Sequence, residues 1–438
     1  MASHGIARTE RTRTRTDEQR QQELAKIETY RDLEHQVRAK VAAGAASYDD
    51  PALFQLTTKL LRLNPEYYTI WNVRRRCLIS GSLCKPSAGS WPSKASPSSL
   101  PSATTRPSFA PSSLSSSAAT PPSQDSPTIG GSGSTPDPEA EAEAEADADA
   151  DADEETKEAK GSRTKIPQQQ ESDRVVLRAE LDFTIPLLLG FPKCYWIWNF
   201  RRWILSQVIL RLPLSQARDI WMTELGLVSK MLDKDNRNFH AWGYRRYVVA
   251  TLESPALHGK SMAESELAYT QKMYEKNLSN FSAWHSRSQL IVRVLDERGA
   301  DDKTRAAFLD DELALVKDAL NVGPDDQSLW YYHQFLISQI TSYQTQATVV
   351  PALTLQERIG YLSREIDDIK DLLVDYKDTK WIYEALLEYS IALRRLELAE
   401  GRAGEREDAH AWLAKVQDLD PMRRGRWSDV KAQFVSAK

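Results

Sequence analysis

Lys193 follows Pro192 directly and stands just ahead of YWIWNFRRW, a run that reads as the opening of a helix. A lysine beside the unpaired N–H groups of a helix start suits a phosphate or diphosphate, because charge and donors favour the same anion. A solvated surface lysine accounts for the same residues. Positive charge recurs in NVRRR (72–76), NFRR (199–202) and GYRR (243–246), so an anionic ligand or acidic partner has several places to bind. His240, His285 and His333 are not spaced as a local metal pair, and no GxxxxGK[ST], GxSxG or HExxH motif is present. Cys77, Cys84 and Cys194 form an odd, sparse set without metal or disulfide spacing, which suits a reducing compartment. On chemistry alone, these residues describe a non-catalytic helical scaffold or a subunit that depends on a partner.

The elements that position these residues repeat. Aligned on tryptophan, the chain reads YTIWNVRRR at Trp71, YWIWNFRRW at Trp198, FHAWGYRRY at Trp242, FSAWHSRSQ at Trp284 and QSLWYYHQF at Trp330. The last four are 44, 42 and 46 residues apart. Aromatic–x–x–Trp–x–x–Arg holds in the first four copies, with Tyr68, Tyr195, Phe239 and Phe281 before and Arg74, Arg201, Arg245 and Arg287 after; the fifth has Gln327 and His333. Proline lies six residues before Trp71, Trp198 and Trp330, and again before Trp427. Glutamate lies eighteen before Trp198, Trp242, Trp284 and Trp330, each time followed by leucine and an apolar-periodic run. Each unit therefore reads as helix, short Pro/Asn/Asp turn, helix, with proline suited to the first helical turn. Helix pairs of this length bury their apolar faces only by stacking, so the fold class is an all-α solenoid of six or seven hairpins. Further units are read around Trp381 and at LDPMRRGRW.

Phe239, Trp242 and Arg245 fall on one helical stripe. The expectation is that Phe239 and Trp242 pack between hairpins, and that Trp71, Trp198, Trp242, Trp284 and Trp330 are structural. Arg74, Arg201, Arg245 and Arg287 are expected to be structural as well. Glu180 and Arg201 come to similar heights on antiparallel helices, which predicts a Glu–Arg pair in repeats two to four, within the hairpin or to its neighbour.

The chain divides by composition into a basic tail (1–16), N-terminal helices with the first repeat (17–84), a Ser/Pro-rich and acidic insertion (85–172) and the repeat array (173–438). The tail and insertion lack the apolar surface to offset ordering entropy and are expected to be disordered. Eleven acidic residues lie in DPEAEAEAEADADADADEE (137–155) and set the net charge of −5; the rest of the chain is mildly basic. The longest apolar run, IPLLLGF (185–191), is too short for a membrane span, and a cytoplasmic protein is expected. Nucleic-acid binding fits poorly with the acidic insertion and the expected burial of the tryptophans.

The five tryptophan motifs, their turns and their spacing resemble the α subunits of protein prenyltransferases. NPEYYTIWNVRRRCL, FPKCYWIWNFRRWIL, DKDNRNFHAWGYRRYVV, NLSNFSAWHSRSQLI and GPDDQSLWYYHQFLI carry the resemblance, and with LDPMRRGRW they are most similar to the type II, or Rab geranylgeranyl, branch. It covers about residues 20–84 and 173–435.

The resemblance implies a crescent-shaped, right-handed superhelix of hairpins around a β subunit that holds zinc, with no metal in this chain. It implies transfer of geranylgeranyl from geranylgeranyl diphosphate to C-terminal cysteines of Rab GTPases presented by Rab escort protein. Lys193, with Tyr195 beside it, matches the lysine that reaches the diphosphate, and Asn238, Phe239 and His240 match the next pocket-facing turn. Trp196 stands where farnesyl/type I relatives usually carry glutamine, which disfavours that α subunit as the alternative. A tetratricopeptide-like, non-catalytic adaptor predicts a period near 34 and is also disfavoured. His4 is either a solvated tail residue or within reach of the partner's zinc.

Overall fold

The computed structural model describes residues 16–83, 152–342, 347–401 and 408–436, with side chains given from 167 in the second stretch and to 432 in the last. The basic tail up to residue 15, with His4, and Cys84 with residues 85–151 of the insertion lie outside the described residues. Among the described residues there are fifteen α-helices and no strand.

Helix α1 (Asp17–Ala42) precedes seven helix–turn–helix pairs. These are α2 (Pro51–Leu63) with α3 (Tyr68–Cys77), α4 (Ala152–Gly190) with α5 (Tyr195–Arg211), and α6 (Leu214–Lys234) with α7 (Phe239–Leu252). They continue as α8 (Ala263–Lys276) with α9 (Phe281–Glu297), α10 (Asp302–Val322) with α11 (Gln327–Thr341), α12 (Leu355–Leu372) with α13 (Lys380–Ala399), and α14 (Asp408–Leu419) with α15 (Arg424–Ser436). The partners in every pair pack together, and the second helices stack α3 on α5, α5 on α7, α9 on α11 and α11 on α13. One continuous core runs through the array, from Leu33 to Trp427. Helix α4 begins at Ala152, upstream of the compositional boundary at 172/173, in ADEETKEAK, a stretch of good helix formers. No described helix is long and apolar enough to cross a membrane.

The tryptophans are the fixed points. Trp71, Trp198, Trp242, Trp284 and Trp330 are all buried. Each indole N–H donates to the carbonyl six residues earlier, at Pro65, Pro192, Asn236, Leu278 and Pro324, over 2.6 to 2.9 Å. A buried indole needs an acceptor, and the turn carbonyl supplies one. This alters the reading of the prolines: Pro65 and Pro192 lie in the turn itself, three residues before the helix, where the carbonyl carries the repeated contact. It also resets the sixth unit. There Tyr383, not Trp381, takes the place of the tryptophan, its hydroxyl donating to Lys377 O, six residues back, at 2.7 Å.

The arginines form rungs between successive pairs. Arg74 makes a two-pronged contact with Glu180 (2.6 and 2.7 Å), Arg201 with Glu224 (2.7 and 2.6 Å) and Arg245 with Glu266 (2.8 and 2.6 Å). Arg287 holds Glu312 the same way, with Nε at 2.9 Å. Each arginine reaches the glutamate of the following repeat, so the expected pair exists only in its neighbour form; Glu224 is the partner of Arg201 rather than of Arg245. The remaining nitrogen of Arg74, Arg201 and Arg245 reaches back to a hydroxyl on the first helix of its own repeat: Thr57 and Thr58, Thr184, and Ser229. One side chain thus ties three helices. In the fifth copy His333 replaces arginine, with Nε2 3.1 Å from Glu365 and Nδ1 2.8 Å from the Tyr389 hydroxyl.

Candidate diphosphate-facing turn and partner surface

Lys193 stands in the exposed turn between α4 and α5, two residues before α5 begins. Its side chain is 74% exposed, and Nζ lies 3.9 Å from Asp235 at the end of α6, a loose contact across to the next repeat's turn. The ammonium is therefore placed by the turn without being consumed by the fold. Cys194, at the cap of α5, fixes that turn from below: it is buried, and its Sγ lies 3.4 Å from the carbonyl of Pro65.

Asn238 has the same role in the following repeat. Its Oδ1 accepts from the backbone N–H groups of His240 (3.0 Å) and Ala241 (3.3 Å), which caps α7. Its Nδ2 donates to Pro192 O at 3.1 Å, the carbonyl that also receives the Trp198 indole. Asn280 repeats this, capping α9 and donating to Asn236 O at 3.0 Å. Asn238 is therefore buried and used by the fold, and it holds the Lys193 turn in place.

The aromatic residues three before each tryptophan point away from the core. Tyr68, Tyr195, Phe239 and Phe281 are all exposed, Phe239 by 69%. The expected packing of Phe239 between hairpins is thus overturned: side chains three apart on a helix differ by about 60° in direction around its axis, enough to put Trp242 in the core and Phe239 outside it. Contacts link these rings along the array. Tyr68 meets Trp196 at 4.4 Å between centroids, Trp196 meets Tyr195 at 5.1 Å, Tyr195 meets His240 at 6.3 Å and His240 meets Phe239 at 4.0 Å. Further on, Phe281 meets Tyr331 at 6.1 Å and Tyr331 meets Trp381 at 5.9 Å.

His240 lies where the lysine turn joins this row. Burial depresses its pKa, the nearby Lys193 ammonium pushes the same way, and Glu66 opposes them. It is therefore neutral at pH 7 and presents a polar aromatic edge rather than a second charge. Glu66, Asp235 and the aromatic row as a surface were not singled out by sequence reasoning. The signal for the row was present in the aromatic at the same place in four copies, but spacing alone does not say which side of a stripe faces water.

No group of three or more His, Cys, Asp or Glu among the described residues could hold a metal. Cys77 and Cys194 are separately buried, and burial pushes each thiol up to about 11, so both stay protonated. The described residues do not fit a zinc site. They offer one placed ammonium beside an aromatic surface, an arrangement that binds and stabilises negative charge delivered with a hydrophobic partner.

The protein prenyltransferase alpha subunit repeat matches residues 51–80, 177–208, 221–252, 263–294 and 309–340, five of the seven helix pairs. The chain is similar to the geranylgeranyl transferase type-2 subunit alpha of Saccharomyces cerevisiae, 32% identical over 58% of this chain and 73% of the relative. It is similar to that of Schizosaccharomyces pombe, 27% identical over 58% and 85%. The Dictyostelium discoideum protein of the same name is 26% identical over 98% of this chain and the full length of the relative. With five such repeats and these relatives, the chain belongs to the protein prenyltransferase alpha-subunit family, in its geranylgeranyl transferase type-2 branch.

Proposed function

We propose that this chain works in the cytoplasm as the α subunit of a heterodimeric geranylgeranyltransferase type II, active only with its β subunit. In this reading the enzyme transfers geranylgeranyl from geranylgeranyl diphosphate to C-terminal cysteines of Rab GTPases presented by Rab escort protein. The observation that carries the role of this chain is the exposed Lys193 turn at the edge of a solvent-facing aromatic row. The β subunit covers the row through Tyr195, Phe239 and their neighbours, and contributes the zinc for which the described residues have no site. Covering the row strips water from Lys193, which strengthens its pull on an anion.

Transfer makes a carbon–sulfur bond to the acceptor cysteine, whose thiol proton is released to solvent, and breaks the carbon–oxygen bond to diphosphate, whose oxygen leaves with the bonding electrons. Lys193 Nζ stabilises that growing charge, exchanging its loose contact with Asp235 for the leaving group. Tyr195 and His240 border the same turn, and Phe239 extends its apolar side.

Co-expression with a type II β subunit, followed by transfer assays with geranylgeranyl and farnesyl diphosphate, tests the reading. A stable pair that prefers geranylgeranyl diphosphate is expected, and Lys193→Ala is expected to lower its kcat/KM by about 10²-fold. An unchanged kcat/KM in that variant would remove Lys193 from the chemistry, and failure to pair would remove the function.

A further inference from the structure

The aromatic row ends at Tyr331 and Trp381, and a cleft opens there between α11 and α13. It is shallow and open to solvent, and Trp330, Gln334, Glu384, Ala385, Glu388 and Tyr389 also line it. The two glutamates lie one turn apart on α13. Arg426 on α15 serves both: Nη2 lies 2.5 Å from Glu384 Oε1 and 2.8 Å from Glu388 Oε1. Gln334 donates to the other oxygen of Glu388. Among the described residues Glu384 Oε2 has no partner, although the residue is only 7% exposed.

The other charged groups nearby do not answer that oxygen. Lys380 lies over the Trp381 ring at 4.8 Å and pairs with Asp420 at 3.6 Å, and Arg423 pairs with Asp420 at 3.5 Å. Burial pushes the carboxyls of Glu384 and Glu388 up, and Glu384 pushes Glu388 further. Arg426 is shared by two carboxylates, as Asp420 is shared by Lys380 and Arg423, and the unpartnered oxygen belongs to a cleft with aromatic walls. A buried carboxylate oxygen without a donor calls for one from outside. Aromatic faces and a carboxylate together suit a cation on an apolar stem.

We propose that this cleft receives a lysine or arginine side chain of the β subunit, its cationic head pairing with Glu384 Oε2 and its stem lying between Tyr331 and Trp381. The inference rests on the reading that the β subunit covers the aromatic row, and it adds a charged anchor where that row ends.

The test measures the equilibrium affinity of the full chain for the type II β subunit of the same organism, with Glu384→Gln and Arg426→Met beside the unaltered chain. Glu384→Gln is expected to weaken pairing by about 10- to 100-fold. Arg426→Met, which leaves both carboxylates in place, is expected to change it by less than about threefold. Equal weakening by the two variants would make the carboxylates a latch for α15 and overturn the proposal, as would an unchanged affinity in Glu384→Gln. Should Glu384→Gln fail to fold, Glu384→Met/Arg426→Met, which removes the acid together with its internal partner, carries the test: a tenfold loss supports the anchor and no loss overturns it. If the unaltered chain does not pair at all, the failure belongs to the proposed function itself.

Discussion

Tyr195 and Arg201 stand six residues apart on α5, yet Arg201 is 1% exposed and bound to two other helices while Tyr195 is more than half open to solvent. The same contrast recurs along the array. Inside, Arg74, Arg201, Arg245 and Arg287 form four nearly identical rungs to glutamate. Outside, Tyr68, Tyr195, Phe239, Phe281 and Gln327 hold one position with three residue types. The inner edge meets the same neighbour in every repeat, so one geometry is reused. The outer edge is largely exposed, with ring contacts that run along the row, so the fold constrains its residues less and leaves them able to suit something else. A motif that looks like one device divides into a joint and a contact surface.

The inner edge should break first. Arg201 stays protonated because Glu224 outweighs the burial that pulls its pKa down. Arg201→Met leaves the Glu224 carboxylate buried with the Tyr244 hydroxyl as its remaining partner, 2.6 Å away. A loss of about 3–5 kcal/mol in denaturant unfolding is expected, with some of it recovered in Arg201→Met/Glu224→Gln. Trp284→Phe comes next: it removes the 2.7 Å bond to Leu278 O and thins the stack on Tyr274, for about 2 kcal/mol in the same measurement.

A smaller effect distinguishes one rung from another. Thr184→Val deprives Arg201 Nη1 of one acceptor and is expected to cost about 1 kcal/mol. Thr270 stands at the same place in the fourth rung and, like Thr184, donates to the carbonyl three residues back, but there Arg287 Nη1 has no partner among the described residues. Thr270→Val should therefore cost clearly less. The gentlest perturbation is a titration. The His240 ring should titrate by NMR below the ordinary histidine value of about 6.5. Its depressed pKa contributes stability present above that value and lost as pH falls through it. Pyrophosphate bound at Lys193 would cancel the ammonium's repulsion and move the midpoint up.

Much of the joint was legible in the sequence. The period, the buried tryptophans and the Glu–Arg pairing all follow from spacing, because the same contacts must be satisfied in every copy. Two of its details were not. Whether Arg201 meets Glu180 or Glu224 depends on how one hairpin leans on the next, which helix heights do not specify. The acceptor of each indole is a backbone carbonyl, and the residue there is proline in three copies, asparagine in one and leucine in another. The candidate site was less legible. Lys193 was marked by its turn, but Asp235, Glu66 and the cleft at Glu384 join residues distant in sequence, with no repeated spacing to announce them. Trp381 misled in the sixth unit because it carries the right residue type two positions early.

The division between joint and contact surface is tested most directly by Tyr195→Ala/Phe239→Ala. The thermal unfolding of the isolated chain and its affinity for the type II β subunit are measured on one preparation. Both rings are exposed, so stability is expected to change by less than about 1 kcal/mol, with affinity reduced about tenfold or more. A chain that loses stability as Trp284→Phe does, while pairing with undiminished affinity, would contradict that division.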